Sequence, residues 1–132
     1  MKIKIGHKKS LVKTFDFNTV KHFAEISGDN NPIHLDEEYA INTIFGKCIT
    51  HGMLVSSMFS NIIGNLLPGP GSIYLSQTLS FKKPVFVGDT VTAFVEVLHI
   101  REDKPIFTLK TWCENNAEEI VIDGEALVLY QE

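Results

Sequence analysis

Cysteine is nearly missing from this chain. Its 132 residues hold only Cys48 and Cys113, with no CxxC pair and no Cys/His cluster. That argues against a disulfide framework and a structural zinc site, and makes a reducing cytoplasm the expected setting. Positive charge is also in short supply: twelve Lys and Arg against sixteen Asp and Glu leave a net charge of -4. A phosphate backbone is poorly matched by such a surface, so nucleic acid is not an expected partner. The chain lacks internal repeats, low-complexity tracts and Ser/Gly-rich linkers. A single domain over 1–132 is therefore expected, large enough to bury roughly two-thirds of its unfolded surface. The opening MKIKIGHKKSLVKTF is basic but has neither the apolar stretch nor the small-residue cleavage site of a secretory signal, so export is not expected.

Long hydrophobic runs are scarce as well. The most apolar segment, HGMLVSSMFSNIIGNLL, spans 17 residues from His51 to Leu67 and contains Ser56, Ser57, Ser60, Asn61, Gly64 and Asn65. It would barely reach across a hydrocarbon core of about 30 Å and would leave amides and hydroxyls in lipid. It reads as a core helix, buried nearly all round, and no membrane association is expected. LLPGPGS closes it. Earlier, DFNTVKHFAEISG spaces Val20, Phe23, Ala24 and Ile26 as the inner face of a short helix, with Asn18 as its cap and Gly28 as its stop. LDEEYAINTIF restarts a helix behind Asp36, with Tyr39, Ala40 and Ile44 at helical spacing. From Ser72 onward the period becomes two. IYLSQTLSF, DTVTAFVEVLHI, PIFTLKTWCEN and EEIVIDGEALVLY read as four strands, with hairpin joints at REDK and ENNAEE. Adding a strand from KIGHKKSLVKTF gives an α+β protein: a strongly curved antiparallel sheet of about five strands wrapped around one long central helix.

Between the two early helices lies SGDNNPIHLD, which places two carboxylates, two amides and an imidazole around one proline. Pro32 fixes its own backbone and pushes Asn31 toward an extended conformation, so DNNPIH reads as a structured loop rather than a helix. Taken singly, each residue has an ordinary explanation. Asp29 after Gly28 is a common turn former. His34 alone is more often a satisfied loop histidine than a catalyst, and His34 with Asp36 lacks a third ligand, so no metal is expected. His51 reads as a structural residue holding the helix start. Cys48, three residues before His51, invites a nucleophile reading that no third orienting group supports. Ser56, Ser57 and Ser60 on a buried helix would bond the carbonyls of the preceding turn. GNLLPGPGS has no Lys after its glycines and reads as a connector rather than a phosphate loop.

Together the residues say more. ISGDNNPIHLDEEYA, then THGML, then GSIYLSQTLSFKKPVFVGDTVTAFVEV resembles the MaoC-like hydratase family, and within it the R-specific enoyl-CoA hydratases of bacteria, over nearly the whole chain. The resemblance implies the hotdog fold, no cofactor, and reversible syn addition of water to trans-2-enoyl-CoA to give (R)-3-hydroxyacyl-CoA. It implies Asp29 and His34 as the catalytic pair, Asn31 supporting the loop, Gly52 offering its amide to the thioester oxygen, and Ser60 organising the site. It further implies Ile63 and Val128 in the acyl pocket, and a homodimer that admits acyl-CoA between its subunits. Cys48 departs from the family, where proline is common. Three roles must be filled in this chemistry: a base for the water, an acid for the alpha carbon and a clamp for the carbonyl oxygen. Five residues apart across a proline-containing loop, Asp29 and His34 can converge on one water, and which is base and which acid stays open. A helix N-terminus has free amides and partial positive charge, the usual clamp. The alternatives are dehydration of (3R)-hydroxyacyl groups on acyl carrier protein, a hotdog acyl-CoA thioesterase, and a noncatalytic acyl-CoA-binding hotdog. Release of free thiol from acyl-CoA would mark the thioesterase, and an absent Asp/His pair the noncatalytic binder.

Overall fold

The computed structural model describes residues 2–132. After strand β1 (Lys8–Thr14), three helices follow: α1 (Phe17–Ser27), α2 (Pro32–Leu35) and α3 (Glu37–Ile41). The long helix α4 (Gly52–Asn65) then leads into β2 (Ile73–Gln77), β3 (Ser80–Phe81), β4 (Thr90–Ile100), β5 (Ile106–Glu114) and β6 (Ile120–Leu129). The sheet runs β1-β4-β5-β6-β2, with β3 also paired to β6, and every pairing is antiparallel. Both expected hairpins form, joining Ile100 to Ile106 and Glu114 to Ile120. Among the described residues no helix is long and apolar enough to cross a membrane.

The two periodicities meet in the core. Alternate residues of β4 (Val91, Ala93, Val95, Val97) point inward, as period two requires, and join one cluster with Val55, Phe59, Ile62 and Ile63 of α4. Each of the Val, Ile and Phe side chains contributes roughly 1.5–3 kcal/mol through its removal from water. The α4 helix is not buried all round, however. Met53, Ser57, Ser60 and Asn61 remain exposed, a strip at helical spacing that the high apolar content of the segment conceals.

Three local expectations are corrected. Asp16, not Asn18, caps α1: its carboxylate accepts from the Thr19 amide at 2.8 Å, while Gly28 ends the helix in the left-handed region at φ 79° as foreseen. Within the predicted loop, Pro32 to Leu35 forms a helical turn, because proline is favoured at the first helical position, where its missing N–H has no intrahelical partner. And the strand expected over IYLSQTLSF divides in two, making six strands rather than five. Gln77 opposite Ala126 and Ser80 opposite Asp123 keep one register, so the break is a bend rather than a slip. It occurs where the backbone passes over Gly124, whose Cβ, if present, would stand 1.8 Å from the Thr78 carbonyl oxygen. Only glycine allows that approach.

Candidate active site

The polar decapeptide is a chain of side-chain caps. Ser27, Asp29 and Asn31 each accept the amide two residues ahead: Asp29 N–H to Ser27 Oγ (3.1 Å), Asn31 N–H to Asp29 Oδ1 (3.2 Å) and Ile33 N–H to Asn31 Oδ1 (3.3 Å). Short polar side chains at every second position thus hold an irregular backbone that has few other partners. Asn31 also caps α2, its carbonyl accepting from the His34 amide at 3.0 Å. Asp36 then caps α3 through the amides of Glu38 and Tyr39.

The same construction aims His34. Its imidazole is buried, and Nδ1 lies 2.7 Å from the Ile49 carbonyl oxygen. A carbonyl only accepts, so Nδ1 carries the proton, and in the neutral ring Nε2 keeps its lone pair. The Ile49 carbonyl is fixed in turn: the Ile49 amide donates to Ile33, the Thr50 amide to Val85, and the Val87 amide to Cys48. This short connector sets the position of His51 and Gly52 at the start of α4.

His51 completes the cluster. Its ring stacks on His34 with centroids 3.8 Å apart and planes 26° from parallel, and Phe23 of α1 meets it edge-on at 4.9 Å. Its Nε2 donates to the Asp29 carbonyl oxygen at 3.0 Å. The side-chain donor atoms of Asp29, His34 and His51 lie within 4.8 Å of one another. The companion that sequence offered His34 as a metal ligand was Asp36; the structure supplies His51 instead. Stacked imidazoles direct their in-plane lone pairs along nearly parallel planes rather than at one centre, and two of the four ring nitrogens are committed to carbonyls. The arrangement suits proton handling better than metal coordination.

These residues line a cavity of about 480 Å³ whose walls include Phe45, Val55, Phe81, Val85 and Ile122, with Gly52 in the wall and Lys82 and Lys83 also lining it. Gly52 is the first residue of α4, where amides lack intrahelical partners. The structure gives a second reason for glycine there. A Cβ at position 52 would stand 2.4 Å from Cε1 of Phe81, so a side chain would displace the aromatic wall of the cavity. Ser60, two turns along α4, is exposed and lies outside the cavity wall; Ile63 and Val128 are buried in the core and also lie outside it.

Burial holds the His34 imidazole below its usual value of 6.5; repulsion from His51 acts in the same direction, while the Ile49 carbonyl and the Asp29 carboxylate oppose it. If neutral His34 is the working form, activity is lost only as pH falls through this lowered value. The acid limb of kcat/KM is therefore expected to have its midpoint below pH 6.5, and a pH–rate profile centred above it would contradict a neutral His34 base. Cys48 is buried, and burial, with Glu37 and Asp36 nearby, pushes its thiol up, which disfavours the thiolate that a nucleophile needs.

Sequence reasoning missed the walls. Phe45, Phe81 and Ile122 come from separate elements with no shared motif. It also read His51 as a helix-start residue, where the structure joins it to Asp29 and His34.

Residues 4–114 match the model of the MaoC like domain family. The chain is 52% identical over 126 residues to the (R)-specific enoyl-CoA hydratase of Aeromonas caviae, covering 96% of this chain and 94% of that one. Its identity to the (R)-specific enoyl-CoA hydratase of Rhodospirillum rubrum is 46% over 127 residues, covering 96% and 88%. Among solved structures, the (R)-hydratase from A. caviae involved in PHA biosynthesis superposes with a TM-score of 0.96 at 50% identity, covering 98% of both chains.

Proposed function

This chain belongs to the MaoC-like domain family, and on that premise we propose that Asp29 and His34 are the catalytic pair through which it works as an R-specific enoyl-CoA hydratase. The enzyme is a hydro-lyase of hotdog fold that adds water reversibly to trans-2-enoyl-CoA to give (R)-3-hydroxyacyl-CoA. The observation that carries the residue assignment is the meeting of an acidic and an imidazole side chain in one cavity whose wall is the start of a helix.

The Nδ1 contact with the Ile49 carbonyl supports one division of the roles that sequence left open, with His34 as the base. Nε2 takes a proton from the bound water as the water oxygen bonds to C3, while the carboxylate of Asp29 accepts a hydrogen bond from the O–H that stays on that oxygen and steadies the imidazolium. The π electrons of the C2–C3 bond move toward the thioester, placing negative charge on its oxygen opposite the Gly52 amide, where a helix N-terminus stabilises it. The proton held by His34 then passes to C2. One water has been added and both side chains are restored. Mixing the protein with crotonyl-CoA tests the reading: the ultraviolet absorbance of the conjugated thioester is expected to fall with no free thiol released. Thiol release would favour the thioesterase, and no change would remove the activity.

Ile63 and Val128 remain the proposed limits on acyl length. Both stand in the core beyond the cavity wall, with Ile63 two turns farther along α4 than the lining residue Val55. Ile63→Ala removes volume there and is expected to shift preference toward longer enoyl chains, at roughly 2–5 kcal/mol of stability. An unchanged profile of kcat/KM against chain length would take Ile63 out of the pocket.

A homodimer is proposed as the working form. Edge strand β2 leaves Ile73 and Leu75 about half exposed (55% and 49%), beside unpaired backbone groups that another chain can extend. The exposed strip of α4, Ser60 included, is a second surface that this proposal gives to the partner subunit. Light scattering at micromolar concentration is expected to give twice the 14.8 kDa chain mass; a fully active monomer would contradict it. Buried, unpaired Cys48 and Cys113 suit the cytoplasm as the compartment.

A further inference from the structure

We infer that His51 is a positioning residue that locks the three working groups of this site to one another, a role that rests on the hydratase reading above. Its contacts reach each of them. The Nε2–H bond to the Asp29 carbonyl spans 22 residues of sequence and is a side-chain tie from α4 to the loop that carries the carboxylate. Its ring stacks face to face with His34, leaving that imidazole one orientation, with Nδ1 on Ile49. Its own backbone precedes Gly52, and its carbonyl accepts the Val55 amide at 3.1 Å, so it forms the first link of α4. Base, carboxylate and oxyanion donor therefore share one rigid body.

The ring is only 2% exposed, and among the described residues Nδ1 has no hydrogen-bond partner. An orphaned buried polar atom destabilises the fold, so an apolar ring in this place would be the more stable choice if packing were all that counted. A histidine at such a cost points to its other nitrogen. The Nε2–H is the one feature that phenylalanine, equally able to stack on His34 and meet Phe23, would not supply.

That distinction sets the test. His51→Phe keeps the stack and loses the donor, while His51→Gln loses the stack but places an amide N–H near the position of Nε2. With crotonyl-CoA as substrate, His51→Phe is expected to lose on the order of 10²-fold in kcat, the scale of a misplaced catalytic group, with KM nearly unchanged. Titration with butyryl-CoA, which has the thioester but no double bond, is expected to show wild-type affinity, so that the loss lies in positioning and not in binding. His51→Gln is expected to recover most of the turnover. Wild-type kcat in His51→Phe, or an equal loss in both variants, would overturn the inference. Should His51→Phe not fold, the Gln variant decides alone: kcat within about tenfold of wild type supports the donor role, and a loss on the order of 10² refutes it. Either failure leaves the hydratase reading standing while the wild type still hydrates crotonyl-CoA; a wild type that does not takes both down.

Discussion

His34→Gln is expected to cost on the order of 10² to 10⁴ in turnover of crotonyl-CoA, with the fold retained. Glutamine has a similar reach, and its amide can still donate to the Ile49 carbonyl that holds Nδ1. It has no basic lone pair at the position of Nε2, so a proton leaving water has nowhere comparable to go. The loss should appear in kcat and kcat/KM alike, because the missing interaction is one made in the transition state. The acid limb set by His34 should also vanish from the pH–rate profile. Turnover within a few fold of wild type would remove His34 as the base.

Asp29→Asn is expected to fall in the same range, 10² to 10⁴, for a different reason. The carboxylate sits at an exposed position, its Oδ1 accepting from the Asn31 amide, and it faces the buried imidazole. Asparagine preserves size and can still accept that amide, so the loop should survive. What disappears is the negative charge beside His34 as it becomes an imidazolium. Since Asp29 is one of the groups that raises the affinity of His34 for a proton, its neutralisation should also move the acid limb to lower pH while the rate falls. A drop in rate with no displacement of the limb would mean that the carboxylate orients the water only. Normal turnover would exclude it from the site.

How far these residues could be read in advance depended on the reach of the interactions that place them. The Ser27–Asp29–Asn31 ladder runs two residues at a time, so a decapeptide contains its own explanation, while Asp29 and His34 were singled out there by the family resemblance that the stretch carries. The same holds for the Gly28 stop, the Asp36 cap and the two hairpins, whose signals sit beside the structures they form. The bond from His51 to Asp29 crosses 22 residues and uses a side chain whose local position is equally suited to a helix start. Nothing nearby distinguishes the two uses. The division of β2 from β3 depends on Thr78 passing over Gly124, 46 positions later, and the Phe81 wall over Gly52 joins elements that share no pattern. Apolar content foretold that α4 would be central but not which strip of it would stay open, because composition is blind to direction around a helix.

Hydration of crotonyl-CoA in deuterium oxide, with the relative configuration at C2 and C3 read by NMR, tests the account at its centre. Two groups acting from one wall of the cavity, through one water, must deliver hydroxyl and deuteron to the same face of the double bond. The product predicted is (R)-3-hydroxybutyryl-CoA with deuterium at C2 placed by syn addition, and anti addition or a scrambled C2 would contradict it.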